Sequence, residues 1–95
     1  MREPAVYIMA SAKNGTLYTG VTSNLVQRVW QHKNGICDGF TLKYSCKMLV
    51  YYEFWDDMRG AIEREKQLKG GSRKQKLGLI ESTNPQSRDI YDELI

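Results

Sequence analysis

Glu65 is a carboxylate on the apolar side of a predicted helix, where it would act as a metal ligand or as an ion-pair partner. At about 100° per residue, it lies along the middle of an apolar stripe made of Met58, Ala61, Ile62 and Leu68. A buried carboxylate is costly unless it is paired or bound to a metal. Lys69, one turn later, offers a structural ion pair. Mg²⁺ or Mn²⁺ is the alternative, because such ions take one protein carboxylate together with water and phosphate oxygens.

Arg28 and His32 are four residues apart, so they lie next to each other on one flank of a predicted helix. Arginine suits a phosphate group, because its planar guanidinium donates two parallel hydrogen bonds and stays charged. A fixed arginine and a metal ion would stabilise the charge that develops on phosphate oxygens during phosphoryl transfer. The alternative is an arginine that solvates a helix surface beside a structural histidine.

Tyr7 and Tyr18 fall on two predicted strands that a turn joins. If Ala10 pairs with Gly15, antiparallel counting places Tyr7 opposite Tyr18, with both side chains on one face of the sheet. A phenol has a pKa of about 10, so it would need a nearby metal or cation to act as a general base. Half-buried strand aromatics are the alternative for both residues.

A basic segment follows Glu65 and is a candidate nucleic-acid contact. It contains Lys66, Lys69, Arg73, Lys74 and Lys76 within eleven residues. Such a cluster fits a phosphate backbone or, alternatively, a solvated helix surface. Gly20 would let a substrate backbone approach closely, or would mark a bend in its strand.

Three strands are predicted to position these residues. They cover residues 6–9, 17–21 and 48–54, and the third is an apolar run suited to the buried centre of a sheet. The turn between the first two contains Asn14-Gly15.

Four helices are predicted around the sheet. The first begins at a cap within residues 22–24, has apolar residues at Leu25, Val26, Val29 and Trp30, and ends at Gly35. Residues 36–47 are predicted to be loop. The second runs from Asp56 or Asp57 to about Lys69, and the third opens at Ser72 with a capping box. Asn84-Pro85 predicts the start of a last short helix that Ile90 and Leu94 anchor. The order β-β-α-β-α-α predicts an α/β sandwich with a small, three-stranded, mainly antiparallel sheet.

Size and composition favour one ordinary globular domain over residues 1–95, with its core at about 4–85. The chain has 95 residues and a net charge of +3, which is compatible with a nucleic-acid partner. No apolar run approaches the roughly 20 residues of a membrane span, so we expect no membrane association and a cytoplasmic location. Cys37 and Cys46 lack CxxC spacing and the chain has a single histidine, so we expect reduced thiols and no structural zinc.

The order of the candidate residues resembles the signature of the GIY-YIG nucleases. Ten residues separate Tyr7 from the segment Tyr18-Thr19-Gly20, Arg28 and His32 follow in the next helix, and Glu65 lies in a later one. The resemblance spans about residues 4–85. It is closest to a small stand-alone bacterial branch with segments similar to residues 18–25 and 64–69. The first motif departs from the pattern, because Ala5-Val6-Tyr7 replaces Gly-Ile-Tyr.

The resemblance implies a role for each residue. Glu65 would hold a divalent metal, Mg²⁺ or Mn²⁺, and Arg28 would bind the scissile phosphate. Tyr7 or Tyr18 would activate or orient the attacking water, and His32 would assist in proton transfer or position a phenol. The implied function is a metal-dependent endonuclease acting on DNA, at repair or recombination structures. A protein partner is a separate expectation, as one source of specificity.

Two other functions remain open from the sequence. The first is a non-catalytic nucleic-acid-binding module that keeps this fold, because a bare domain has little surface for a specific substrate. The second is an interaction protein in which Glu65 serves only in a structural ion pair. All five candidates are expected to line one concave surface if the enzyme hypothesis holds.

Overall fold

The sheet has three strands, of which the first in sequence is the central one. A computed structural model describes residues 3–36 and 39–95 of the chain. Strands β1 (Ala5–Ala10), β2 (Leu17–Thr22) and β3 (Met48–Phe54) lie in the order β2-β1-β3, and β1 is antiparallel to both neighbours. Every residue of β1 is buried, because neighbours flank the strand on both edges and helices cover both faces of the sheet.

Four α-helices surround the sheet, and a short 3-10 helix follows them. They are α1 (Leu25–Lys33), α2 (Gly39–Tyr44), α3 (Met58–Gly70), α4 (Arg73–Thr83) and the 3-10 helix Tyr91–Glu93. Side chains of Asn24, Asp57 and Ser72 cap α1, α3 and α4 by accepting a backbone N–H of the first turn. The predicted α/β sandwich and its element order are therefore confirmed, with one additional short helix.

The helices form a layer on each face of the sheet. Tyr7 and Met9 point towards α1 and pack with Leu25 and Val29. Alternate residues of β1 point the other way, so that Val6 meets Ala61 and Leu68 of α3 while Ile8 meets Ile80 of α4. The odd-numbered and even-numbered residues of β1 therefore contact different helix layers.

The hairpin register differs from the prediction by two residues. Tyr7 pairs with Gly20, and Met9 pairs with Tyr18. The loop has the predicted four residues, but it is residues 12–15, because Ser11 N–H bonds to Thr16 O at 3.0 Å. Asn14 takes the left-handed conformation with φ of 62° inside this loop. A shift of two preserves side-chain parity, so Tyr7 and Tyr18 still share a face.

The prediction of loop over residues 36–47 is wrong for Gly39–Tyr44, which form α2. Six residues make fewer than two helical turns, too few to show an apolar period in the sequence. Cys37 lies outside the described residues. Cys46 is buried, and burial raises the pKa of its thiol.

The predicted last helix is also wrong at its start, because Asn84 ends α4 instead of capping a new helix. Its buried side-chain amide donates to Val50 O at 3.1 Å and to Arg88 O at 2.7 Å. Val50 is the residue that the β1–β3 pairing skips between Leu49 and Tyr51. A bulge leaves such a carbonyl without a ladder partner, and Asn84 supplies the missing hydrogen bond. Regular structure returns only at the 3-10 helix Tyr91–Glu93.

The C-terminal segment is fastened to the outer edge of β3. Ile90 is buried and its N–H bonds to Leu49 O at 2.8 Å, while Leu94 packs on the same core as predicted. Burial alone would raise the pKa of Asp89. Hydrogen bonds from Lys33 and from the Tyr91 and Leu49 N–H groups, together with the Lys33 charge, outweigh burial and hold that pKa below its usual value.

Two predicted apolar stripes lie differently in the fold. Trp30 is 49% exposed and Ile62 is 37% exposed, whereas His32 is almost completely buried. The buried line of α1 runs through Leu25, Val29 and His32. Trp30 and Ile62 are exposed because each of their helices faces the sheet with the neighbouring stripe of residues. Among residues 3–36 and 39–95, no helix is long and apolar enough to cross a membrane.

Candidate active site

Tyr7 of β1 and His32 of α1 form a buried hydrogen-bonded pair between the sheet and the helix. The Tyr7 Oη and His32 Nε2 atoms are 2.8 Å apart, and the two residues are 1% and 2% exposed. The central strand supplies the tyrosine, and the inward face of α1 supplies the histidine two turns after Leu25. These side chains do not line an open concave surface, which corrects that expectation. They form the floor of the site.

Arg28 lies one turn before His32 and reaches the same phenol. Its Nε donates to Tyr7 Oη at 3.4 Å, and its Nη1 donates to Gln31 Oε1 at 3.3 Å. The side chain is half-buried. These contacts orient the guanidinium, which favours a defined phosphate geometry because less side-chain freedom remains to be lost on binding. Gln31 was not predicted, although its i+3 position from Arg28 is a usable signal.

Tyr18 extends the aromatic floor to the edge of the sheet. Its ring centroid is 6.3 Å from that of Tyr7 and 5.4 Å from that of His32. The residue is half-buried, because β2 is an edge strand. It lines an open groove of about 290 Å³ with Leu17, Thr19, Lys69 and Lys76. Tyr18 is therefore the phenol of the pair that an incoming molecule can contact.

Gly20 makes room for the Tyr7 ring. It is buried directly opposite Tyr7, and a Cβ built on it would lie 2.5 Å from Tyr7 Oη. A larger residue would push the phenol away from His32. The cross-strand packing accounts for a glycine at this position, while its predicted contact with nucleic acid stays a prediction.

Glu65 lies on α3 between the buried residues Ala61 and Leu68, as its helical position predicted, and its side chain is 14% exposed. Its Oε2 forms an ion pair with Lys69 Nζ at 2.8 Å. The same ammonium lies 5.8 Å from the Tyr18 ring centroid. The Glu65–Lys69 pair is thus present, and it lies beside Tyr18 at the groove.

The donor set at Glu65 fits one kind of divalent site. In the described part of the chain, no three His, Cys, Asp or Glu side chains converge to hold a metal. A dedicated protein cage is therefore not formed there. A single, mostly buried carboxylate whose ion-pair partner Lys69 lines an open groove instead fits an ion that completes its coordination with water and substrate oxygens.

The basic segment divides into two parts around the groove. Lys69 and Lys76 are part of its lining, and Lys66, Arg73 and Lys74 are exposed outside it. Arg73 also donates from Nη2 to Gly15 O at 2.6 Å, which joins α4 to the hairpin loop. Leu17 and Thr19 were not predicted as site residues, although both flank Tyr18 on an edge strand.

A neighbouring ion pair shows that polar residues of α3 also have structural roles. Arg64 Nε lies 2.7 Å from Glu53 Oε1 on β3, and both side chains are about three-quarters buried. The hydrogen bond to Glu53 raises the pKa of Arg64. Adjacent residues of one helix therefore differ in their contacts, because Arg64 bonds to the sheet and Glu65 pairs with a lysine that lines the groove.

Comparison with known proteins shows the family of this chain. The family described as the GIY-YIG catalytic domain matches residues 3–78. The chain is similar to a UPF0213 protein of Clostridium perfringens, with 38% identity over 94% of this chain and 95% of the relative. A UPF0213 protein of Staphylococcus saprophyticus is 37% identical, over 79% and 90% of the two chains.

A solved structure supports the same assignment. The solution NMR structure of a UPF0213 protein from Bacillus halodurans superposes with a TM-score of 0.56 and 26% identity, over 88% of each chain. This chain covers nearly the full length of both relatives, as expected for the small stand-alone branch. The chain belongs to the GIY-YIG catalytic domain family, among relatives of the UPF0213 type.

Proposed function

We propose that this protein is a divalent-metal-dependent endonuclease that hydrolyses phosphodiester bonds in DNA. The observation that carries the proposal is the connected set Arg28, Tyr7, His32 and Tyr18, which ends at a groove lined by two lysines. A GIY-YIG domain is of nuclease type and implies nucleic-acid binding. We further propose that the substrate is DNA, that the protein turns it over, and that it acts in repair or recombination. We also propose a cytoplasmic location.

Arg28 binds the scissile phosphate in this proposal. Its Nε donates to Tyr7 Oη and its Nη1 donates to Gln31 Oε1, and these contacts hold the planar guanidinium in an orientation from which it binds a phosphate. Charge on these oxygens grows in the transition state, and a preorganised cation stabilises it more than the ground state. Loss of one such group in other enzymes costs about 10²–10³ in rate.

Tyr18 orients the attacking water, because it is the phenol that lines the groove. The water oxygen bonds to phosphorus and gives up a proton to solvent, the bond from phosphorus to one sugar oxygen breaks, and the leaving oxygen takes up a proton from solvent, so one water is consumed for each bond broken. Tyr7 is a positioning residue, because its hydroxyl is buried between His32 and Arg28. His32 fixes that phenol and, through it, the position of Arg28.

Glu65 would hold the divalent ion, Mg²⁺ or Mn²⁺. When bound, the ion would supply Lewis-acid stabilisation of the phosphate and lower the pKa of a bound water. Lys69 and Lys76 hold the nucleic-acid backbone along the groove. Lys66, Arg73 and Lys74 extend the basic surface of α3 and α4 beyond it.

Cleavage of labelled duplex, branched and single-stranded DNA tests the proposal, with RNA of the same sequence as a further arm. Wild type, Glu65→Gln and Arg28→Ala are compared in Mg²⁺, in Mn²⁺ and in chelator. The matched controls are Glu63→Gln and Arg59→Ala, which change exposed residues of α3. We expect metal-dependent cleavage that falls at least about 100-fold in both site variants and is unchanged in both controls.

Two outcomes would contradict the hypothesis that the protein is an enzyme. Equal residual cleavage in wild type and both site variants would identify a contaminant. Binding that weakens with salt, without any metal-dependent cleavage, would assign the chain to the non-catalytic nucleic-acid-binding modules.

A further inference from the structure

The Glu65–Lys69 pair places a cation where the proposed function needs a metal ion. Lys69 Nζ is 2.8 Å from Glu65 Oε2, and the residues are one turn apart on α3 with the glutamate first, the favourable order for a helix. The side chain of Glu65 is 14% exposed and that of Lys69 is 50% exposed. The carboxylate is therefore fixed against the protein, and the lysine is the partner that can move.

Lys69 has a second contact that keeps it at the groove. Its ammonium lies 5.8 Å from the centroid of the Tyr18 ring, within the range of a cation–π interaction. Tyr18, Lys69 and Lys76 line the same open groove. A small movement of the flexible lysine stem would therefore carry the ammonium from the carboxylate to a phosphate bound there.

A divalent ion and this ammonium cannot both be near Glu65 without strong repulsion. Like charges a few ångströms apart repel most where the surroundings are partly desolvated, and the Glu65 side chain is mostly buried. Binding of the ion then favours movement of Lys69 away from the carboxylate. The displaced ammonium has Tyr18 beside it and the groove in front of it.

We propose that Lys69 is an internal counter-ion that occupies Glu65 before the metal binds and transfers to a nucleic-acid phosphate when it does. This inference rests on the proposed function, because it assigns Glu65 to the metal. Its consequence is coupling between the two ligands. A phosphate that draws Lys69 away frees the carboxylate for the metal, and by linkage the metal raises the affinity for nucleic acid by the same factor.

The first test measures Mn²⁺ binding without nucleic acid, by electron paramagnetic resonance of the free ion and by calorimetry. Wild type is compared with Lys69→Met, Lys69→Arg and Lys47→Met. Lys47 is an exposed lysine before β3, at the other edge of the sheet, and its variant makes the same charge change. We expect Lys69→Met to bind Mn²⁺ at least about threefold more tightly, since a competing ion pair is removed, while Lys69→Arg and Lys47→Met stay close to wild type.

The second test measures coupling with a short DNA strand that has a non-hydrolysable backbone. In wild type the strand should tighten Mn²⁺ binding, and in Lys69→Met this effect should shrink. With Mn²⁺ present, the same variant should bind the strand more weakly than wild type, with a salt slope smaller by about one. In chelator this difference should be smaller, because Lys69 then stays paired with Glu65. Thermal unfolding of each variant, followed by circular dichroism, verifies that the fold is intact.

The outcomes separate this inference from the proposed function. If Lys69→Met binds Mn²⁺ no more tightly than wild type, while Glu65→Gln loses binding, Lys69 is not a competitor and the inference is overturned. An equal gain in Lys47→Met would overturn it too, because the effect would then be one of net charge. If Glu65→Gln binds Mn²⁺ as well as wild type, the metal assignment in the proposed function fails first.

Discussion

Replacement of Tyr7 by phenylalanine tests the buried hydrogen bond at the centre of the site. The change removes only the hydroxyl, which lies 2.8 Å from His32 Nε2 and 3.4 Å from Arg28 Nε. His32 is 2% exposed, so water does not readily replace the lost partner. A buried polar atom left without a hydrogen bond costs about 1–3 kcal/mol. The ring and its packing with Met9 and Leu25 remain.

The expected loss is therefore about 1–3 kcal/mol in the free energy of unfolding, with the upper part of that range if both contacts of the hydroxyl contribute. For a domain of this size, each kcal/mol corresponds to a fall in Tm of about 4–8 °C. Urea unfolding at neutral pH, followed by circular dichroism, gives the free energy directly, provided that the m-value does not change. Tyr44→Phe is the matched control, because Tyr44 is 42% exposed and surface changes stay within about 0.5 kcal/mol.

A double variant shows whether the loss comes from the partner. Combining Tyr7→Phe with His32→Leu removes both polar groups, and the combined loss should be smaller than the sum of the single losses. A loss below about 0.5 kcal/mol for Tyr7→Phe alone would refute the reasoning, because the phenol would then not satisfy the buried histidine. A combined loss equal to the sum of the single losses would refute the reasoning as well.

Three further predictions concern stability. Gly20→Ala places a methyl group 2.5 Å from the hydroxyl oxygen of Tyr7, so we expect a loss of about 1–3 kcal/mol in urea unfolding, and a wild-type midpoint would contradict the close packing. Asn84→Ala leaves the bulge carbonyl of Val50 without its donor, so a loss of about 1–3 kcal/mol is expected in the same assay, and a loss near zero would show that water replaces the amide. The pKa of Asp89 is lowered in the fold, so its contribution to the free energy of unfolding is present above the usual aspartate pKa and disappears as pH falls through the lowered value. Asp89→Asn should flatten that part of the curve of stability against pH. An unchanged curve would contradict the assignment.

Local sequence signals predicted most of the secondary structure. Asn24, Asp57 and Ser72 cap their helices as expected, because a cap is formed by contacts within one helical turn. The alternation of β1 and β2 placed Tyr7 and Tyr18 on one face, and this survived an error of two residues in the register. The family resemblance supplied the candidate site residues, and the family itself is confirmed by the match over residues 3–78.

Contacts between distant segments were not predictable in the same way. Trp30 and Ile62 are strong hydrophobes, yet they are 49% and 37% exposed, because the angle at which each helix meets the sheet selects the buried stripe. Asn84 and Pro85 formed a good helix start locally. Asn84 instead bonds to Val50, 34 residues earlier in the chain.

The sequence by itself determined the family, the strand faces and the residue types that can bind phosphate and a metal ion, because these depend on local spacing and side-chain chemistry. Only the tertiary structure decided the exposure and partners of those residues. It buried Tyr7 against His32, left Tyr18 at the groove and brought the ammonium of Lys69, whose pairing with Glu65 is local to α3, close to the Tyr18 ring. The reason is physical: a side chain's exposure and partners depend on how β1, α1 and α3 pack together, and no single segment contains that information.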